Sequence, residues 1–572
     1  MVALNDYFPL QKCDSHCFDD VSRFRPQSDP LICGRVEARR LQKYELEINA
    51  NTLSSPSPSP RGSYFQIERR HVDSFSYEEF WTQYLLLNKP VLIEGITKDW
   101  QAAKEWVDPE TWGLNIDALE RIAPVDAVVR VTETNGELAS YGDCSTMPLR
   151  EYTAWWRTHK AKGESLCSSA SESSSRSQRN DKLLYLKDWH FIGECPHFKP
   201  YDTPIYFSSD WLNSYYDSLF QNRYDTSTTN ADVACIDYRF LYVGPAGTKT
   251  PVHTDVLHSH SWSANVVGRK RWLMLAPADA HLVYDTATTL EIASSFGESE
   301  DEEEYEQEKE NGRREGGNNK DIWSTTGNIG KKESLEGKSN SLLVALEVQE
   351  KKKKSRDERR KTFPLLPLAR KKLYECIQPA GSALFVPSGW HHSVVNEEDT
   401  LSLNHNWINA SNAEYTWALL KQQRADAAEG IDDLKSSCEP LEFESLVQRN
   451  VKANAGLDWD EWVRLLETIV TSTLVDEKMN GELVEEVQVI KDNDNIQIHT
   501  PIQISEQLSI AKLNFVVIRK ILKEMFEEYE KIFMKGGGKL FPSFSETETL
   551  FKLPTTFASV MGLLNRVDAI LK

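Results

Sequence analysis

The chain has 572 residues, enough for one large domain with a smaller one beside it, and its 66 basic and 87 acidic side chains leave a formal net charge of −21. This acidic excess argues against a surface that binds nucleic acid and fits basic protein partners better. Nine cysteines do not form the even-numbered framework of a secreted disulfide-rich domain, and we find neither a secretion signal nor a long apolar segment. We therefore expect a protein of a reducing compartment without a membrane span.

The first part of the chain changes character at Tyr64. Residues 1–62 end in the Ser/Pro-rich segment NTLSSPSPSPRG, which predicts a tail and a linker, with folded structure starting at Tyr64. The following FSYEEFWTQYLLL predicts a helix that buries Phe80, Tyr84 and Leu85, and PVLIEG predicts a strand. A serine-rich segment at about 166–181 predicts a disordered loop.

Short strands dominate the middle of the chain, as in ACIDYRFLYVGP, SWSANVVGRKRWLMLAP, GSALFVPSG and DTLSLNHNWIN. Strands separated by Gly/Pro turns predict a sandwich or a barrel. A charged stretch from about 293 to 373 interrupts them and predicts a disordered insert. Its basic run at 351–361 fits either a nuclear-localisation signal or a solvated charged segment. Helical spacing after Ala413 predicts a helical C-terminal region, 413–572.

The segment TPVHTDVLHSH contains candidate metal ligands. Residues i and i+2 of a strand share a face, so His253 and Asp255 could bind one metal ion. Two histidines and one carboxylate with open positions are typical of non-haem Fe(II) oxygenases. An ordinary surface turn is the alternative for this pair. His71 and Asp73 have the same spacing without such a context, which predicts a cap or a surface role.

A third ligand is expected from a distant strand. The segment FVPSGWHHSVVN offers His391 and His392, of which one can reach the metal, because neighbours on a strand face opposite sides. The co-substrate 2-oxoglutarate would need a cation and hydroxyl groups. Lys270, on the next strand, and Thr250, three residues before His253, could provide them. An exposed basic strand is the alternative for Lys270.

An ordered series of motifs resembles the jumonji-C oxygenases, from about Tyr64 to Asn412. These motifs are NKPVLIEG, LLYLKDW, PIYFSSDWLNSYYD, GPAGTKTPVHTD, GRKRWLMLAP, PAGSALFVPSGWHH and LNHNW. The resemblance implies a mainly β fold, a double-stranded β-helix (jelly roll, cupin-like) with N-terminal helices, over residues 63–412, followed by the helical region 413–572.

The resemblance also implies residue roles. His253 and Asp255 match the first two iron ligands, and His392, five residues after Pro387, matches the third better than His391 does. The implied cofactor is Fe(II), with 2-oxoglutarate and O2 as co-substrates. The residues implied to bind the co-substrate are Thr250, Lys270, Tyr185 and Asn406. Ser263 stands where relatives often carry asparagine.

Three functions compete at this point. The segments DVLHSHSWSANVVGRKRW and VPSGWHHSVVNEEDTLSLNHNWIN look most like a family member that implies lysyl hydroxylation of the eukaryotic translation-termination release factor in the cytoplasm. The second is demethylation of histone lysine or arginine, which would add a nuclear location. The third is a catalytically inactive binding scaffold. The presence of all the expected metal ligands and of the co-substrate lysine argues against it. The expected partner is a protein substrate, either a release factor or a histone tail. We expect no direct binding to nucleic acid and none to a membrane.

Overall fold

A computed structural model describes residues 35–51, 64–134, 144–167, 183–225, 237–296, 357–480, 506–534 and 555–571. Within these ranges the strands are β1 (Phe65–Gln66), β2 (Glu68–His71), β3 (Val91–Glu94), β4 (Val128–Thr134), β5 (Cys144–Pro148), β6 (Leu183–Trp189), β7 (Arg239–Gly244), β8 (Lys249–His253), β9 (His260–Val267), β10 (Lys270–Leu275), β11 (Tyr374–Gln378), β12 (Ser382–Val386), β13 (His391–Asn396) and β14 (Thr400–Trp407).

The strands form two sheets that pack on each other. One has the order β1-β11-β10-β13-β8 and the other the order β2-β3-β12-β9-β14-β7-β6-β4-β5. Trp272 of β10 and Leu384 of β12 belong to the same buried apolar cluster, so the sheets meet face to face. The antiparallel pairings of β8 with β13 and of β9 with β12 and β14 form the jelly roll. The predicted double-stranded β-helix is confirmed.

Helices surround the sheets on the N-terminal side and follow them on the C-terminal side. The described α-helices are Arg35–Asn51, Tyr77–Phe80, Gln101–Glu105, Ile116–Ile122, Leu149–Cys167, Phe191–Glu194, Trp211–Asp225, Leu366–Arg370, Ala413–Gly430, Pro440–Ala455, Trp459–Asn480, Glu506–Met534 and Thr555–Ile570. A π-helical turn, Trp81–Leu85, extends the helix Tyr77–Phe80, and Phe80, Tyr84 and Leu85 are buried as predicted. None of the helices in the described parts of the chain is both long and apolar enough to cross a membrane.

Two apolar clusters hold the helices in place. The first joins the N-terminal helices to the large sheet, with Trp106 and Trp189 among its buried members. The second joins the helix Trp211–Asp225 to the C-terminal helices, and Trp417 and Trp462 lie at its centre. The C-terminal helices therefore pack against the helix Trp211–Asp225, which precedes the strands β8 and β13 in the chain.

Folded structure begins earlier than the predicted boundary at Tyr64. The helix Arg35–Asn51 lies within the segment that we expected to be a tail. Ala38 in this helix is fully buried, and the Gln42 amide donates to the carbonyl of His281 over 2.9 Å. The prediction was wrong because this helix is held in place by contacts with residues far away in the chain. The Ser/Pro-rich segment that follows the helix gives no sign of these contacts. Residues 1–34 and 52–63 lie outside the described residues.

The edges of the charged insert are also folded, which corrects the predicted range of 293–373. Ala293 and Phe296 are buried in one cluster with Leu365 and Leu366, and a helix spans Leu366–Arg370. The apolar residues at both ends of the insert complete this cluster, so they remain part of the domain. Residues 297–356 lie outside the described residues, and so does 168–182, which contains most of the predicted serine-rich loop.

The turn between β9 and β10 leads directly to Lys270 and depends on Gly268. Its φ is +77°, and a Cβ there would lie 2.0 Å from the Asp399 carbonyl oxygen. We expect Gly268→Ala to lower the free energy of unfolding by about 2–5 kcal/mol, through the left-handed backbone and the clash together. Gly381 is the matched control, because its φ is +86° and a Cβ would meet nothing within 4 Å. Gly381→Ala should cost about 1–2 kcal/mol in urea denaturation, and equal losses in both variants would contradict the clash.

Candidate metal and co-substrate site

The pairing of β8 with β13 brings two histidines together. His253 ends β8, His392 is the second residue of β13, and their Cα atoms are direct partners in the antiparallel register. The centroids of the two imidazole rings are 4.3 Å apart. Direct partners in a sheet share a face, so both rings lie on the pocket side.

Asp255 does not lie on the strand, contrary to the expected i, i+2 geometry. β8 ends at His253, and the chain then enters a turn in which Leu257 and His258 have φ values of +58° and +46°. Non-glycine residues seldom adopt this left-handed backbone conformation unless contacts with neighbouring residues stabilise it. The support comes from the C-terminal region, where Leu257 is buried and its carbonyl accepts a 2.8 Å hydrogen bond from the Thr416 hydroxyl.

One ligand atom from each of His253, Asp255 and His392 lies within 4.8 Å of the others. Ligand atoms bound at about 2.0–2.2 Å to a single ion are up to ~4.4 Å apart, so one ion can join all three with little movement. The expected ligand set is therefore assembled in one place, with His392 at only 3% exposure.

Neighbouring groups orient these ligands. Nδ1 of His253 lies 2.8 Å from the Pro251 carbonyl and Nδ1 of His392 lies 2.9 Å from the Trp390 carbonyl. A carbonyl oxygen can only accept a hydrogen bond, so each Nδ1 carries the ring proton. Each Nε2 therefore has a lone pair free to bind a metal ion. Burial, and next the neighbouring imidazole of His392, hold the pKa of His253 well below its usual range, which keeps the His253 ring neutral. Ser261 donates to Asp255 over 2.6 Å. This donor set fits Fe(II).

The other candidate histidines lie elsewhere. His391 is fully buried on the opposite side of β13, with its Nε2 3.3 Å from the Tyr284 hydroxyl. His71 accepts a 3.3 Å hydrogen bond from the Asp73 backbone N–H at the start of a short 3-10 turn, and both residues are exposed. This is the cap or surface role that the sequence indicated for the His71 and Asp73 pair.

The predicted co-substrate residues lie near one another, next to the strands that carry the two histidines. Lys270 is 2% exposed, and its Nζ donates to the Ser402 hydroxyl over 2.6 Å. The Tyr185 hydroxyl lies near the side chains of Thr250 and Asn396, and burial raises the pKa of this phenol. Asn396 is also the direct strand partner of Lys270. The pocket thus presents the cation of Lys270 together with several hydroxyl and amide groups.

Gly244 makes room for the Tyr185 ring. A Cβ at this position of β7 would lie 2.5 Å from Cδ2 of Tyr185 and 2.6 Å from Oγ1 of Thr248. Cβ atoms in proteins essentially never approach other atoms this closely, so a larger residue would displace the ring. Gly244 therefore fixes where the Tyr185 hydroxyl meets Thr250.

Asn406 lies at the metal end of the pocket. It is 8% exposed, its amide donates to Ser259 over 3.0 Å, and its strand partner is Ser261, which holds Asp255. Ser263, which stands where relatives often have asparagine, donates over 3.1 Å to the amide oxygen of Asn404 on β14. An amide is thus present beside Ser263, but from the neighbouring strand.

Sequence reasoning missed four polar residues of the site: Ser261, Asn396, Asn404 and Ser402. Asn404 and Ser402 precede Asn406 by two and four residues, and the alternation of β14 could have indicated that they share its face. Ser261 and Asn396 carried no comparable signal, because only the strand register shows that they oppose Asn406 and Lys270.

A double-stranded β-helix with two histidines and an aspartate at one site defines the class of non-haem iron oxygenases. A family model for the cupin-like domain matches residues 77–413. The chain is 33% identical to the arginine-specific demethylase JMJ20 of Arabidopsis thaliana, covering 72% of this chain and 71% of the relative. It is 29% and 30% identical to the 2-oxoglutarate and iron-dependent oxygenase JMJD4 of Gallus gallus and Homo sapiens, covering 70% of this chain and 74% and 75% of those relatives.

The chain belongs to the cupin-like, jumonji-C family of 2-oxoglutarate- and iron-dependent oxygenases. The predicted family is therefore confirmed. The cofactor set expected from the sequence, Fe(II) with 2-oxoglutarate and O2, is the set of this family.

Metal binding distinguishes the two adjacent histidines. We expect His392→Ala to weaken binding of Mn(II), a stable substitute for Fe(II), by more than about 100-fold, because a ligand is lost. His391→Ala should bind Mn(II) as the wild type does, although loss of its buried ring lowers Tm. Titration followed by electron paramagnetic resonance measures both variants. Retained affinity in His392→Ala together with lost affinity in His391→Ala would contradict the proposed ligand set.

The pKa of Lys270 is lowered to about 7, first by burial and then by the charge of Lys187. The charged ammonium binds a carboxylate, so affinity for 2-oxoglutarate should be full below pH 7 and fall by up to about tenfold per pH unit above it. Calorimetry of the Mn(II)-loaded protein between pH 6 and 9 tests this. Lys270→Met should bind weakly with a flatter pH profile, and a wild-type affinity that stays constant up to pH 9 would contradict the assignment.

Proposed function

We propose that the protein is an Fe(II)- and 2-oxoglutarate-dependent protein hydroxylase in which His253, Asp255 and His392 hold the iron. The observation that carries this proposal is the placement of the three ligand atoms within 4.8 Å of one another, above a pocket that contains a buried lysine. In this proposal the co-substrate is bound by Thr250, Lys270, Tyr185 and Asn406.

The protein's part in the reaction is to bind and to orient. When bound, Fe(II) with O2 and 2-oxoglutarate supplies the oxidation that inserts one oxygen atom into a substrate C–H bond, and 2-oxoglutarate leaves as succinate and CO2. Lys270 pairs with the distal carboxylate, while Thr250 and Tyr185 donate hydrogen bonds to it. The carbonyls of Pro251 and Trp390 keep both Nε2 atoms aimed at one point.

The proposed substrate is a lysine of the translation-termination release factor. The support is the resemblance of the segments around His253 and His392 to the family member for which this activity is implied, together with the net charge of −21. Asp188 adds a local feature, because its carboxylate accepts a 2.6 Å hydrogen bond from Tyr242 and its side chain is 38% exposed. An exposed acidic group beside Tyr242 suits the ammonium of a substrate lysine. Such a substrate places the protein in the cytoplasm.

Demethylation of arginine or lysine is the second candidate. The relative JMJ20, 33% identical over 72% of this chain, is named an arginine-specific demethylase. The chemistry differs only in the outcome, since a hydroxylated N-methyl group releases formaldehyde. A histone substrate would require a nuclear location, for which the basic run at 351–361 is a candidate signal.

One assay separates the candidates. Purified protein is incubated with Fe(II), ascorbate, 2-oxoglutarate and either release-factor or methylated histone peptides, and peptide masses are measured. We expect a gain of about 16 Da on a release-factor lysine, lost in His392→Ala and retained in His391→Ala. Loss of methyl groups with formaldehyde release would replace the hydroxylase with the demethylase. Failure to turn over either peptide, while the wild type binds Mn(II) and 2-oxoglutarate, would overturn both substrate assignments.

A further inference from the structure

A second lysine reaches the co-substrate pocket. Lys187 follows Tyr185 by two residues on β6, so the two side chains share a face of the sheet. Tyr185 lies beside Thr250 and Asn396 and therefore faces the pocket. Lys187 lies on the same side, about 6.6 Å further along the strand.

The ammonium groups of Lys187 and Lys270 surround one phenol ring. Nζ of Lys187 lies 5.6 Å from the ring centroid of Tyr185 and 6.0 Å from that of Tyr242, and Nζ of Lys270 is also 6.0 Å from the Tyr242 centroid. Among the residues that the structure describes, neither lysine forms an ion pair with a carboxylate. The carboxylate of Asp188 accepts the Tyr242 hydroxyl, with an Arg130 guanidinium nitrogen 3.9 Å away.

Two cations without carboxylate partners are unfavourable in a pocket that excludes water. Burial lowers the pKa of Lys187, as does the nearby charge of Arg130, while Asp188 opposes the shift. Lys187 in turn contributes to the lowered pKa of Lys270. A ligand with two negative charges relieves this repulsion, and 2-oxoglutarate is such a ligand.

The two lysines have different neighbours. The charge of Lys270 and the polar groups of Thr250, Asn396 and Tyr185 are enough to bind one carboxylate. Within the described part of the chain no hydrogen bond joins Lys187 to any of these groups, and its ammonium lies over the rings of Tyr185 and Tyr242 instead. Its charge is therefore available to a second carboxylate.

We propose that Lys187 is a further co-substrate-binding residue, whose ammonium attracts the carboxylate of the 2-oxo acid group while Lys270 binds the distal carboxylate. This inference rests on the proposed function, because it takes 2-oxoglutarate as the ligand of the pocket. Lys187 acts by charge, so arginine can replace it and an uncharged side chain of similar length cannot.

The test compares two ligands and does not depend on turnover. 2-Oxoglutarate has both carboxylates, whereas 2-oxobutyrate lacks the distal one. The full chain is loaded with Mn(II), and affinity for each acid is measured by water-proton relaxation. Lys187→Met should weaken binding of both acids by roughly tenfold, as expected for loss of a charged partner. Lys270→Met should weaken binding of 2-oxoglutarate and leave 2-oxobutyrate unchanged.

Control variants separate charge from folding. Lys249 is an exposed lysine on β8, and Lys249→Met should change neither affinity. Lys187→Arg should keep both affinities, and Lys187→Gln provides a second uncharged variant if Lys187→Met does not fold. Tm and Mn(II) affinity are measured for every variant.

Two results would overturn the inference. One is wild-type affinity for 2-oxoglutarate in folded Lys187→Met or Lys187→Gln, and the other is an effect confined to 2-oxoglutarate with 2-oxobutyrate unchanged. Failure of the proposed function looks different, because the Mn(II)-loaded wild type would then bind neither acid.

Discussion

The register between β8 and β13 is the constraint on which the site depends. His392 lies directly opposite His253, and both rings face the pocket because direct partners in a sheet share a face. A slip of one residue would turn His392 outward and bring His391 in. β13 also pairs with β10, which places Asn396 opposite Lys270, so this one strand positions a metal-ligand histidine on one side and a neighbour of the buried lysine on the other.

The buried charge of Lys270 favours binding of an anion but lowers the stability of the protein when no anion is bound. Lys270 is 2% exposed and has a hydroxyl rather than a carboxylate as its hydrogen-bond partner. A buried cation that lacks an opposite charge is destabilising, and its pKa falls accordingly. Binding of an anion offsets this cost, so the free energy lost in the empty pocket reappears as affinity for the co-substrate.

The terminal regions are part of the same structural unit as the site. Leu257, two residues after Asp255, is buried among the C-terminal helices, and Thr416 of the helix Ala413–Gly430 holds its carbonyl. Arg35 of the N-terminal helix donates to Asp426 in that same helix over 2.9 Å. The C-terminal helices therefore support the turn that carries Asp255, and a substitution there can weaken the metal site without touching a ligand.

The sequence by itself determined the family, the jelly roll and the candidate residues His253, Asp255, Lys270 and Thr250, because strand alternation and the ordered motifs are local features of the chain. From the sequence, His391 and His392 could be distinguished only by resemblance, and Asp255 was expected on a strand. The N-terminal tail was predicted to extend to residue 62, although a helix begins at Arg35. Only the tertiary structure decided which histidine faces the pocket, how the turn after His253 delivers Asp255, and that Ser261, Asn396 and Lys187 lie beside the predicted residues. The physical reason is that these placements depend on strand register and on packing against residues far away in the chain, and a local pattern records neither.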